Sequence, residues 1–91
     1  MRLKQEEIRQ IRSVITEVFG EAKVYLFGSR LDEKKKGGDI DLFVIAPQVS
    51  LEQKIKALSR LKTRLHKPVD IVLHKDFNRE IEQEALKGVL L

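Results

Sequence analysis

Three aspartates and one glycine turn carry the chemical content of this chain. Asp39-Ile40-Asp41-Leu42 places two carboxylates two residues apart, and Asp70 supplies a third within Val69-Asp70-Ile71-Val72. Upstream, the apolar run Val24-Tyr25-Leu26-Phe27 ends in Gly28-Ser29-Arg30. Side chains alternate faces along a strand, so Asp39 and Asp41 share a face about 6.6 Å apart along the backbone. Ile40, Leu42 and Val44 then take the opposite face, as do Ile71 and Leu73 opposite Asp70. If both apolar faces meet the same helices, all three carboxylates emerge together on the other side of the sheet. Carboxylates gathered in that way repel one another and resist full ionisation. A hard divalent cation relieves the conflict, and Mg²⁺ accepts carboxylate and phosphate oxygens together. A Gly-Ser turn beside such a cluster suits a site for a metal-bound triphosphate. Each part alone has an ordinary explanation, as an exposed strand face or a simple turn; their combination at strand edges raises the chemical reading above these.

The elements that must position these residues follow from periodicity. Ile8, Ile11, Ile15 and Val18 recur at spacings of three and four and predict an amphipathic helix over 3–19, stopped by Gly20. Strands are expected over 24–27 and 39–45, the second closed by Pro47, with a polar, glycine-ended loop over 31–38 between them. Ser50 and Gln53 form a plausible capping box for a second helix whose core face is Leu51, Ile55, Leu58, Leu61 and Leu65. Pro68 ends that segment and 69–73 reads as a third strand. Asp76 can cap a last helix carrying Phe77, Ile81 and Ala85, stopped by Gly88. A terminal strand over 89–91 is possible. The order helix, strand, strand, helix, strand, helix predicts an α/β fold, with helices covering one face of a small mixed sheet.

Composition narrows the function classes. The 91 residues suffice for one domain, 1–91, and 42% hydrophobic with 35% charged residues fits a folded, soluble protein. No apolar run approaches a membrane span and no signal-peptide pattern opens the chain, so no membrane partner is expected. The absence of cysteine excludes disulfides and thiolate metal sites and fits a cytoplasmic location. A net charge of +4 favours acidic partners such as nucleotides. Nucleic acid is possible but not favoured, because aromatic residues make up only 5% and leave little to stack bases upon. Lys34-Lys35-Lys36 reads as a solvated loop, His74 as polar surface at a strand end, and His66 as a complement to a helix C-terminus. No Walker-type Gly-Lys-Ser/Thr loop is present.

The ordered set Tyr25-Leu26-Phe27-Gly28-Ser29-Arg30, Asp39-Ile40-Asp41-Leu42 and Val69-Asp70-Ile71-Val72 resembles the nucleotidyltransferase superfamily related to DNA polymerase beta. It is most similar to the minimal, single-domain branch, over nearly the whole chain. Family members often carry Ser where this chain has Gly38. The resemblance implies that Asp39 and Asp41 bind two Mg²⁺ ions and that Asp70 completes the metal site activating the attacking hydroxyl. It implies that Gly28 and Ser29 hold the nucleotide phosphates, with Arg30 able to neutralise phosphate charge. The implied activity is ATP-binding, Mg²⁺-dependent transfer of AMP to a hydroxyl acceptor. The implied role is an antitoxin of a toxin–antitoxin system that adenylylates a helical HEPN-type toxin. The alternative is a non-catalytic antitoxin or binding module that neutralises its partner by contact, through a patch including Phe43 and Val72.

Overall fold

The computed structural model describes residues 3–28 and 38–91. Its elements run α1 (Gln5–Phe19), β1 (Lys23–Phe27), β2 (Ile40–Ile45), α2 (Leu51–Leu65), β3 (Val69–Leu73), α3 (Glu80–Leu86) and β4 (Val89–Leu90). The sheet order is β3-β2-β1-β4, with β1 antiparallel to both β2 and β4 and β2 parallel to β3. The β2–β3 pair is parallel because α2 returns the chain between them, as a parallel connection demands. The 89–91 segment does add a strand, a short one on β1.

Alternation within the strands decides what lies under the helices. Val24, Leu26, Ile40, Leu42, Val44, Val69 and Ile71 are buried in one cluster with Ile11, Val14 and Ile15 of α1 and Ala57, Leu61 and Leu65 of α2. α1 ends at Gly20, whose φ of 73° is a conformation glycine adopts at little cost. α2 begins as its cap residue requires: Ser50 Oγ accepts from the Gln53 backbone N–H at 3.2 Å. Gln53 does not return the bond; its side-chain amide donates instead to the Val18 carbonyl of α1 at 3.4 Å.

Three expectations are corrected. Leu51 and Ile55 are not on the core face of α2; they are 69% and 58% exposed, while Ala57, Leu61 and Leu65 are buried. The physical reason is that β3 is the outer strand, so no further strand lies beneath the first turns of α2 on that side. Asp76 does not cap the last helix, which starts at Glu80; its Oδ1 accepts from Asn78 N–H at 2.9 Å and closes a turn ahead of the helix. Phe43 is not part of an exposed patch but fully buried. It lies on the face opposite Leu42 and Val44, where Tyr25 and His74 meet its ring and the short α3 packs across β1 and β2. Gly88 lets the chain return to the sheet edge: a Cβ there would lie 2.1 Å from the Leu26 carbonyl oxygen.

Candidate active site

Asp41 and Asp70 are direct partners across the parallel β2–β3 ladder. Adjacent strands lie about 4.8 Å apart and residues on one rung share a face, so the two carboxylates stand side by side. On the other flank, Asp41 opposes Phe27, the last residue of β1, which brings the following Gly28 up against the Asp41 carboxylate. Asp39 immediately precedes β2 and is exposed, as is Asp70, whereas Asp41 between them is half-buried. Strand parity had therefore aimed Asp41 and Asp70 correctly, with Asp39 joining from the loop rather than from the strand.

The electrostatics match this placement. Burial pushes the Asp41 carboxyl above its ordinary value, and the neighbouring charges of Asp39 and Asp70 push it further the same way. Asp41 thus feels the charge of both neighbouring carboxylates. Among the described residues, no three acidic or histidine side chains close into a preformed metal cage. The donor set is all hard oxygen, and among the described residues no salt bridge compensates its negative charge, which fits a Mg²⁺-type cation completing its shell with phosphate and water.

Gly28 has a reason to be glycine. Its φ is +80°, and a Cβ there would stand 2.4 Å from Asp41 Oδ2 and 3.2 Å from the carboxyl carbon. The backbone of the turn therefore touches the carboxylate directly. Gly28→Ala is expected to displace the Asp41 side chain and to destabilise the domain by about 1–2 kcal/mol, combining strain at positive φ with the clash. Thermal melting of the variant against the parent checks this. Ser29, Arg30 and the lysines at 34–36 lie outside the described residues.

A second polar centre escaped sequence reasoning. Glu82 of α3 is fully buried. Its Oε2 accepts from the backbone N–H groups of Lys75 and Asp76, each at 2.9 Å, and from Arg79 Nε at 2.8 Å. Its Oε1 lies 2.5 Å from His74 Nδ1. Burial alone would raise this carboxyl; the bonds from His74, Lys75, Asp76 and Arg79 outweigh it and bring the pKa down to about 2. His74 is accordingly not polar surface: its ring also stacks on Phe77 with centroids 4.0 Å apart. Nothing in the spacing of Glu80-Ile81-Glu82 marks the middle acid as buried. The one available signal was the parity of His74, which put it on the carboxylate face. His66 caps α2 in the left-handed conformation, with φ 54°.

A four-stranded mixed sheet with its acidic rung flanked by a glycine turn is the architecture of a nucleotidyltransferase. The family model described as polymerase beta, nucleotidyltransferase matches residues 7–91, and the chain belongs to that family. Among curated proteins none matches. Among solved structures, the crystal structure of a mutant of the toxin–antitoxin MntA–HpeT is similar, with a TM-score of 0.62 and 20% identity. The match covers 78% of this chain and 57% of that chain, so the present chain corresponds to little more than half of that relative's length. At this identity the likeness concerns the fold. Among the described residues, no helix is long and apolar enough to cross a membrane.

Proposed function

We propose that residues 1–91 act as a single Mg²⁺-dependent nucleotidyltransferase domain that moves AMP from ATP to a hydroxyl on a partner protein. The observation that carries this reading is the shared rung of Asp41 and Asp70, with Gly28 pressed against Asp41. In this reading Asp39, Asp41 and Asp70 would hold two Mg²⁺ ions. When bound, the metal supplies charge neutralisation for the triphosphate and for the attacking and leaving oxygens. The chain's own residues do the positioning. Gly28 and Ser29 would hold the phosphates, and Arg30 would neutralise phosphate charge. Asp70, exposed at the outer strand, faces the incoming hydroxyl and takes its proton. The hydroxyl oxygen bonds to the α-phosphorus, the bond from that phosphorus to the bridging oxygen breaks, and pyrophosphate leaves with the electron pair.

The fold likeness to a toxin–antitoxin protein supports a biological role of the same kind: a cytoplasmic antitoxin that adenylylates a HEPN-type toxin. The competing reading, a module that neutralises its partner by contact alone, loses the larger part of its patch because Phe43 is covered by α3, while Val72 stays half-buried. The deciding experiment incubates the chain with labelled ATP, Mg²⁺ and the co-encoded neighbouring protein. Label should appear on the partner and vanish with Asp41→Asn. If Asp39→Asn and Asp41→Asn proteins neutralise the partner as well as the parent does, the catalytic antitoxin reading fails.

A further inference from the structure

We propose that the overhanging side of α2 is a docking surface for an amphipathic helix with acidic flanks, carried by the protein that receives the nucleotide. The identity of that protein rests on the transfer reading above; the docking itself does not. The surface follows from the phase of α2. Ala57, Leu61 and Leu65 are buried toward the sheet. One flank meets α1: Gln53 reaches the Val18 carbonyl, and Arg60 and Arg64 reach Glu17. The opposite flank carries Leu51, Ile55, Leu58 and Lys62, at successive spacings of four, three and four, which is a single stripe of a helix. Leu51 at 69% and Ile55 at 58% are the two most exposed large apolar side chains among the described residues, and Leu58 between them and Lys62 is half-buried. Exposed apolar residues scattered singly need no explanation; two neighbours on one stripe beside a groove mark an interaction surface.

The surroundings define the occupant. A groove of about 590 Å³ leads from the stripe across the outer side of β3 to α3, lined by Leu51 and Lys54, Asp70 and Leu73, and Lys75 and Ile81. Its floor is closed to a further strand: Ile71 is fully buried, Val69 is buried, and the Leu73 carbonyl accepts from Arg79 Nη2 at 3.1 Å. Binding there runs through side chains, and an apolar stripe beside a groove suits the apolar face of a helix. Lys54, Lys62 and Lys75 border the stripe and the groove, and none has an acidic partner among the described residues. They match acidic residues on the flanks of that helix. Asp70, which the proposed reaction turns toward the incoming hydroxyl, lines the same groove. A helix seated here lies beside the point of transfer, and this continuity selects the acceptor protein as its source.

A second copy of the chain fits less well. Pairing two stripes sets α2 against α2, whose charges clear of α1 are Lys54, Lys56 and Lys62 against Glu52 alone, and each copy has a net charge of +4. Juxtaposed like charges oppose that contact. An anionic bilayer has no ridge to enter the groove, and the exposed Asp70 would meet it with like charge.

The test titrates the full chain into a labelled helical peptide with leucine at i, i+4 and i+7 and glutamate on both flanks, and into its lysine-flanked counterpart, with anisotropy as the readout. The glutamate peptide should bind and the lysine peptide should not. The double variant L51Q/I55Q should bind at least about tenfold more weakly, because two aliphatic side chains no longer leave water on docking. Its Tm should match the parent's, since neither residue is buried. K54E/K62E should also bind about tenfold more weakly, whereas Leu90→Gln, at a similarly exposed position on β4, should bind as the parent does. In the labelling assay with the co-encoded neighbouring protein, L51Q/I55Q should raise KM for that protein about tenfold and leave KM for ATP unchanged. Docking does not use the carboxylate rung, so Asp41→Asn should bind the peptide normally; peptide binding without transfer by the parent refutes the proposed reaction and not the docking. No binding by the glutamate peptide, equal binding by both peptides, parental affinity in L51Q/I55Q or an unchanged protein KM overturns the proposal. Binding to phosphatidylglycerol vesicles that L51Q/I55Q abolishes assigns the stripe to a membrane, and dimerisation that it abolishes assigns the stripe to a second copy; either overturns the proposal.

Discussion

Asp41→Asn should end nucleotide transfer while leaving the domain at least as stable as the parent. Burial, then the charges of Asp39 and Asp70, raise the Asp41 carboxyl above its ordinary value. A raised acid is penalised in the folded state whenever it is ionised. The penalty is absent at pH values below the ordinary value, where the group is protonated in both states, and is fully present above the raised one. Asparagine keeps the shape and removes the charge, so at neutral pH the repulsion disappears. Melting temperature should therefore hold or rise, by an amount worth about 1 kcal/mol or less. Transfer should fall by about 10³-fold, which corresponds to ~4 kcal/mol of lost transition-state stabilisation. MgATP should raise the Tm of the parent, because it binds only the folded state, and should not raise that of the variant. Parental rates in the variant would refute the assignment of Asp41. A steep loss of Tm would instead show that the carboxylate is a structural group.

Glu82→Gln is expected to have the opposite profile, a large loss of stability from a residue outside the carboxylate rung. Glu82 accepts from two backbone N–H groups and one guanidinium, and contacts His74, all while fully buried. Glutamine has one acceptor oxygen, and its NH₂ faces donors. Leaving buried donors unpaired costs about 3 kcal/mol, which in a domain of this size lowers Tm by roughly 15 °C. The pH dependence has a definite sign. A carboxyl lowered to about 2 from 4.5 contributes stability that is fully present above the ordinary value and is lost as pH falls toward about 2. Acid titration followed by circular dichroism should show the parent losing stability across that window. The glutamine variant should lack this component. If both melt alike at neutral pH, the buried acid does not hold α3 to the sheet.

The two residues also show what the sequence makes legible. Asp41 and Asp70 could be aimed because strand alternation has a period of two and the apolar partners Ile40, Leu42 and Ile71 point inward without ambiguity. Both strands and the long helices were readable for the same reason. Leu51 and Ile55 were misplaced because helical periodicity finds an apolar stripe without revealing how wide the sheet beneath it is. With β3 outermost, the stripe overhangs the edge. Phe43 and Glu82 needed tertiary information of another kind. Each is buried only because the turn over 74–79 folds α3 back across β1 and β2, and Glu82 is itself the anchor of that turn. A glutamate in a short, charged helix carries no local mark of such a role.

The parallel register of β2 and β3 has a consequence for the order of folding. Asp41 belongs to the antiparallel β1–β2 pair, with Gly28 and Asp39 just outside its ends, whereas Asp70 reaches the Asp41 rung only after α2 has crossed over. Closing a long connection must precede the contacts that reward it, which makes parallel pairing a slow step. A chain still being synthesised that has emerged only as far as α2 holds two of the three carboxylates and cannot assemble the third. On the proposed function, competence for transfer would therefore arrive together with the completed sheet.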